Sequence, residues 1–184
     1  MSSPLYLALY KSRSYPDDTD KFHWARAPLP KGESLNAKIQ VYQIISRPNV
    51  PCQTSHTSTN LTKLGAFVTC VYIGHVRLTP EAIKLAVTKQ PTEKGDTPLL
   101  PMHQAQGRGW SCAQWIIRTL QDEFVAKDLM VLTPSDSNDF YIRVCGLGQA
   151  MRRILDDDLD DESVTVGGIT REIKSPNGVP SVDI

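Results

Sequence analysis

Apolar residues recur in this chain with two different spacings. Strand-like runs of branched and aromatic residues dominate the first part: Leu5 to Tyr10, Lys21 to Ala27, Lys38 to Ile45 and Leu64 to Gly74. Runs of this length, bounded by proline, glycine and polar clusters, predict strands. The second run alternates, with Phe22 and Trp24 on one face and His23 and Ala25 on the other, and it stops at Pro28. A turn over Leu29 to Asn36, carrying Pro30 and Gly32, joins it to the third run as a hairpin, which would bring His23 near the third strand. The fourth run is almost continuously apolar and predicts a central strand.

Helical spacing takes over afterwards. Thr79 as N-cap, Pro80 at the first helical position and Glu81 in the first turn announce a helix containing Ile83, Leu85, Ala86 and Val87. Trp115, Ile116, Leu120 and Phe124 line one face of a second helix that opens near Cys112 and runs to about Ala126. Phe140 to Leu155 reads as a third, with Ile142, Val144, Leu147, Met151, Ile154 and Leu155 as its buried positions, although Gly146 and Gly148 lower its propensity. Thr97 to Pro101 is held extended by its prolines, Asp128 to Leu132 ends a helix or makes a short strand, and Val164 to Ile169 contains a last short strand. The polar stretch from Ser46 to Lys63 reads as a long surface loop, a lid or mobile insertion. The pattern predicts an α+β fold: an antiparallel sheet with helices packed on it, in one domain over 1–170, followed by a C-terminal tail over 171–184.

Composition narrows the function classes. The 184 residues suit one domain, and 40% hydrophobic content suffices for a core. Twenty basic and twenty acidic residues cancel, so no global field draws the chain to nucleic acid or an anionic membrane. The acids concentrate in Asp156 to Glu162, which reads as a solvated run. No apolar stretch is long enough to span a bilayer, and the N-terminus lacks the basic and apolar regions of a signal peptide. The expected location is therefore cytoplasmic, with Cys52, Cys70, Cys112 and Cys145 reduced. The Asn60-Leu61-Thr62 sequon carries little meaning there. No His or Cys spacing suits zinc, so neither a metal nor another cofactor is expected.

Candidate chemistry centres on Gly109 to Ile117. A thiol in the first turn of a helix faces unpaired backbone N–H groups and the positive end of the helix dipole, and both favour thiolate. Cysteine catalysis further needs an imidazole and a polar group to orient it. Four histidines compete. His56 lies in a polar stretch and His75 follows the fourth strand; His103 precedes Cys112, and His23 sits mid-strand, where a rigid sheet could aim it. Each has an alternative as a satisfied structural or exposed side chain, and Cys112 as a small core residue.

His23-Trp24-Ala25 on an early strand, a polar-aromatic strand about 20 residues later and Cys112-Ala113-Gln114-Trp115 opening a helix together resemble the circularly permuted papain-like fold of NlpC and lecithin retinol acyltransferase-like proteins. In that branch the histidine precedes the cysteine. A group of uncharacterised fungal proteins of about this length is more similar still, with a Leu-Tyr-Leu-Ala-Leu-Tyr-type strand before the His-Trp-Ala strand. The resemblance spans Leu5 to Phe124. It implies Cys112 as nucleophile, His23 as base and Gln43 as the orienting residue, where relatives often carry histidine. Ser111 stands where relatives often have asparagine, so an oxyanion role passes to the Cys112 backbone N–H.

The implied function is a thiol hydrolase or acyltransferase, peptidase- or amidase-like, that acts through a Cys112 thioester. Its expected substrate is a peptide, isopeptide or small amide or ester, with no nucleic acid partner and no stable membrane insertion. The alternative is a non-catalytic binding module on the same scaffold, with Trp110 as a ligand-binding aromatic.

Overall fold

The structure, a computed structural model, describes residues 2–12, 21–47, 50–63, 66–157, 162–166, 168–174 and 179–184. It is an α+β fold: an eight-stranded, mostly antiparallel sheet with helices packed against it. The strands are β1 (Ser3–Lys11), β2 (Phe22–Pro28), β3 (Ile39–Arg47), β4 (Val50–Thr59), β5 (Phe67–Val76), β6 (Ser163–Val166), β7 (Ile169–Lys174) and β8 (Ser181–Asp183). Their spatial order is β4-β3-β2-β1-β5-β8-β7-β6, with β5 and β8 parallel. The helices are α1 (Pro80–Thr88), α2 (Pro101–Ala105), α3 (Cys112–Thr119) and α4 (Ser137–Asp156).

The side chains of β1 divide between two cores. Leu5, Leu7 and Leu9 join Phe22 and Trp24 in the large core beneath the helices, whereas Ala8 and Tyr10 join Ala25, Ala27, Leu35, Ile39 and Val41 in a smaller core on the opposite face. The central strands are thus covered on both sides, and β1 runs in register with β2 from Leu5↔Pro28 to Lys11↔Phe22.

The start of α1 follows its sequence signal. Thr79 is the N-cap, its hydroxyl accepting from Ala82 N–H, and Pro80 opens the helix. Beyond the last α-helical residue of α3, a π-helical stretch runs from Leu120 to Val125, where the Ala126 N–H reaches back to the Gln121 carbonyl. The Thr119 hydroxyl bonds the Trp115 carbonyl just before it, and such back-bonding loosens the regular ladder.

Several expectations change. Most of the stretch read as a loop over 46–63 is the strand β4, antiparallel to β3 from Ile39↔Thr59 to Arg47↔Val50. An edge strand pairs through its backbone, and its Ser and Thr side chains face water, so no apolar pattern announces it. The stretch read as a tail over 171–184 carries the end of β7 and all of β8. Val179 and Val182 are buried, and the Ile184 N–H bonds the Tyr72 carbonyl. Met102 to Ala105 fall in a short helix, and 128–132 form no strand. The acidic run keeps Asp156 and Asp157 at the exposed end of α4; residues 158–161 lie outside the described set, as does the loop expected over 13–20.

The helix α4 is where it was expected, but its buried face is rotated. Phe140, Tyr141, Val144, Cys145, Leu147 and Met151 are buried, while Ile142 and Leu155 are exposed. The two glycines explain why. A Cβ on Gly148 would stand 2.9 Å from both Leu9 Cδ1 and Phe22 Cε2, and one on Gly146 would stand 2.6 Å from Val166 Cγ1. Their missing side chains let α4 lie close on the sheet. Gly148→Ala is expected to destabilise the fold by ~1–3 kcal/mol through overpacking. Urea unfolding with an unchanged midpoint would contradict that close approach.

Candidate functional site

The first turn of α3 meets the sheet at the N-terminal part of β2. Ser111 starts the helix as its N-cap, in extended conformation at φ −146° and ψ 168°, its hydroxyl accepting from Gln114 N–H at 3.4 Å. Serine at this position therefore serves the helix end. Buried Gln114 holds the preceding loop: its Oε1 accepts from Leu100 N–H at 2.8 Å, and its Nε2 donates to the Gly109 carbonyl at 3.3 Å.

Cys112 is the first residue of α3, and its sulfur accepts the backbone N–H of Trp24 at 3.4 Å. The pair in register between β2 and β3 is Arg26↔Tyr42, three residues along β2 from His23.

The side chains of His23 on β2 and Gln43 on β3 meet in a direct bond, His23 Nε2 to Gln43 Oε1 at 2.5 Å. An amide oxygen can only accept, so Nε2 carries the proton and Nδ1 is the nitrogen left for the thiol. The hairpin thus brings His23 to Cys112 and Gln43 to His23. Burial works against the thiolate. The charge of His23, its hydrogen bond to the sulfur and the backbone N–H groups of Trp24 and Ala113 outweigh it, so the Cys112 thiol lies below its ordinary range. Cys70 is the contrast: burial alone acts on it and pushes its thiol far up.

A cleft of about 360 Å³ opens over the sulfur, lined by His23, Arg108, Trp110, Cys112 and Tyr141 among others. Its walls are braced. The Trp24 and Tyr141 rings stack at 5.6 Å, and Arg108 Nη1 donates to the Tyr141 hydroxyl at 2.8 Å. Trp110, expected as a free ligand-binding aromatic, is tied down: its indole N–H donates to the Thr92 carbonyl at 2.7 Å, and Arg118 lies over its ring.

The other histidines sit elsewhere or do other work. His56 is exposed on β4, and His75 is exposed on β5, where its Nδ1 meets the Tyr72 hydroxyl. His103 is buried in the cleft wall. Its Nδ1 donates to the Gly109 carbonyl at 3.3 Å, and its ring stands edge-on to Tyr141 at 4.6 Å. Burial, together with Arg108, pushes its imidazole below the usual range.

Sequence reasoning missed the Trp24 backbone donor, the Gln114 brace and the Arg108–Tyr141 wall. A backbone donor has no residue-type signal, while the buried polar positions in Cys112-Ala113-Gln114-Trp115 and Phe140-Tyr141 could have suggested the other two. Among the described residues no cluster of three or more His, Cys, Asp or Glu could hold a metal, and no helix is long and apolar enough to cross a membrane. No family model, no curated protein and no solved structure matches this chain.

Proposed function

We propose that this protein is a thiol-dependent hydrolase or acyltransferase, with Cys112 as nucleophile, His23 as general base and acid, and Gln43 as the residue that orients His23. The observation that carries the reading is the chain of contacts from the Cys112 sulfur through the His23 ring to the Gln43 amide at the start of α3. Three side chains from two elements of the sheet and one helix end make the nucleophile–base–orienter arrangement of covalent catalysis. Support for a permuted papain-like architecture comes from the same order, histidine strand before cysteine helix, in the hairpin β2–β3 and α3.

The chemistry follows from the geometry. The Cys112 thiolate attacks a carbonyl carbon and forms a C–S bond, while the carbonyl π electrons move to oxygen. The Cys112 backbone N–H, at the unpaired N-terminus of α3, is the natural donor to that oxyanion. On collapse the C–N or C–O bond breaks, and the His23 imidazolium gives its proton to the leaving amine or alcohol. Water or an acceptor amine or alcohol then loses a proton to His23, attacks the thioester and releases Cys112. Gln43 accepts from His23 Nε2–H throughout and supplies no charge, so it stabilises the imidazolium less than a carboxylate would. A peptide or small amide is the substrate class we assign, with esters and isopeptides within reach of the same steps. A reduced, low-lying thiol suits the cytoplasm, and all four cysteines are free.

Iodoacetamide tests the nucleophile directly. At pH 6 Cys112 is expected to alkylate at least about tenfold faster than half-buried Cys52, with buried Cys70 and Cys145 slower still, and its rate should titrate below about pH 8.5. Mass spectrometry of the four sites gives the order. Labelling of Cys112 no faster than the other three would sink the enzyme reading.

A further inference from the structure

In the sheet β2 lies between β3 and β1, so His23 has neighbours on two strands. β3 supplies Gln43, which accepts from its Nε2–H. β1 supplies Tyr10, which stands directly across from His23 in the strand register. Residues paired in this way share a face of the sheet, and here the rings meet, their centroids 6.4 Å apart and their planes tilted by 43°. Rings at that separation still attract one another. Tyr10 is buried in the smaller core, where Phe67 packs edge-on against it at 5.8 Å.

The hydroxyl of Tyr10 finds no use in this setting. It is buried and has no hydrogen-bond partner among the described residues, which costs stability. Burial also pushes the phenol far up, so the side chain is neutral at every working pH. What Tyr10 offers His23 is its ring. The imidazole, for its part, has to serve two partners in one orientation, with one nitrogen held by Gln43 and the other turned to the Cys112 sulfur. The χ2 torsion of histidine is broad, and Gln43 is a long, flexible side chain, so this pair of contacts leaves the ring plane soft. A buried ring packed against the imidazole from a strand in register removes that freedom.

We propose that Tyr10 is a positioning residue of the candidate site, whose ring backs the His23 imidazole from β1 and keeps it in the orientation that serves Cys112 and Gln43 together. Tyr10 is not among the residues that line the cleft, so it acts through His23. The titratable groups that share the cleft with His23 and Cys112 are Lys21, His103, Arg108 and Tyr141. Replacing neutral Tyr10 removes no charge from this set. A moved Cys112 midpoint in a Tyr10 variant therefore reports the placement of His23.

The inference rests on the reading of Cys112 as nucleophile and His23 as base, and one experiment separates the two. The pH midpoint of Cys112 alkylation by iodoacetamide is measured in the wild-type protein, in Tyr10→Phe and in Tyr10→Leu, with urea unfolding of each. The wild-type midpoint should lie below that of an ordinary thiol, about 8.5. Tyr10→Phe keeps the ring and should leave the midpoint where it is. Tyr10→Leu keeps apolar bulk without the ring, and should raise the midpoint by about one pH unit, slowing alkylation about tenfold below it. Tyr10→Met provides the reading should the leucine variant not fold. A depressed wild-type midpoint that the folded leucine or methionine variant retains, with or without lost stability, would make Tyr10 a filler of the core, overturning its role and leaving the nucleophile standing. A phenylalanine variant shifted as far as the leucine one would show that the hydroxyl acts and overturn the role of the ring. An ordinary wild-type midpoint would overturn both the inference and the reading it rests on.

Discussion

His23→Ala is expected to slow alkylation of Cys112 by iodoacetamide at pH 6 by about a hundredfold, the largest effect of any single substitution at the site. The size follows from what remains when the imidazole is gone. Burial pushes the Cys112 thiol up, and the charge and hydrogen bond of His23 are the main influences that bring it down. The N–H groups of Trp24 and Ala113 stay, but they are neutral donors facing an uncompensated desolvation. The thiol should return at least to its ordinary range, where at pH 6 less than about 1% is thiolate. The sign with pH follows. The wild-type rate holds on the acid side, where the variant has lost its thiolate, and the two converge as pH rises past the variant's thiol midpoint. A steric or folding defect would instead lower the rate at every pH. If the variant keeps the wild-type profile, His23 does not control the thiol and the proposed site fails.

The resemblance singled out Cys112, His23 and Gln43, and the elements that carry them were legible for a physical reason. Cys112, His23 and Gln43 lie on elements whose period was strong: an amphipathic helix with a polar start and two strands joined by a proline–glycine turn. The hairpin expectation then places His23 and the third strand side by side, and the 2.5 Å bond to Gln43 is the outcome. Elements held by backbone pairing were harder to see. β4 is an edge strand of Ser and Thr, and β8 is three residues long and recruited by Val179 and Val182 from outside the obvious pattern. In α4 helical propensity counts Gly146 and Gly148 as flaws, whereas in the fold they are the points of closest approach to the sheet, which turned the helix away from the expected face. Arg26 was invisible for the opposite reason. Alternation sets Arg26 on the face of Phe22 and Trp24, yet arginine is so rarely buried that its type hides the placement.

Trp115→Ala should destabilise the protein by ~3 kcal/mol, and the same substitution in an Arg26→Met background should cost ~5 kcal/mol. Trp115 is fully buried, touches the core beneath α3, and donates its indole N–H to the Pro91 carbonyl at 3.0 Å. Removing it leaves a cavity, frees that part of the 91–97 loop and would place the change at the upper end for a large core residue. In the wild-type protein one effect opposes this loss. The cavity borders the Arg26 guanidinium, so water entering it hydrates a charge that was unpaired, and part of the desolvation cost is recovered. With methionine at position 26 no charge waits to be hydrated, and the full cavity cost appears. Stacking makes the contrary prediction. If the cation–π attraction outweighed the desolvation of Arg26, losing Trp115 would cost less once the cation was gone. A double-mutant cycle from urea midpoints therefore reads the balance beneath α3 by its sign. A smaller cost in the methionine background would mean that Arg26 is held as a stabilising cation–π pair.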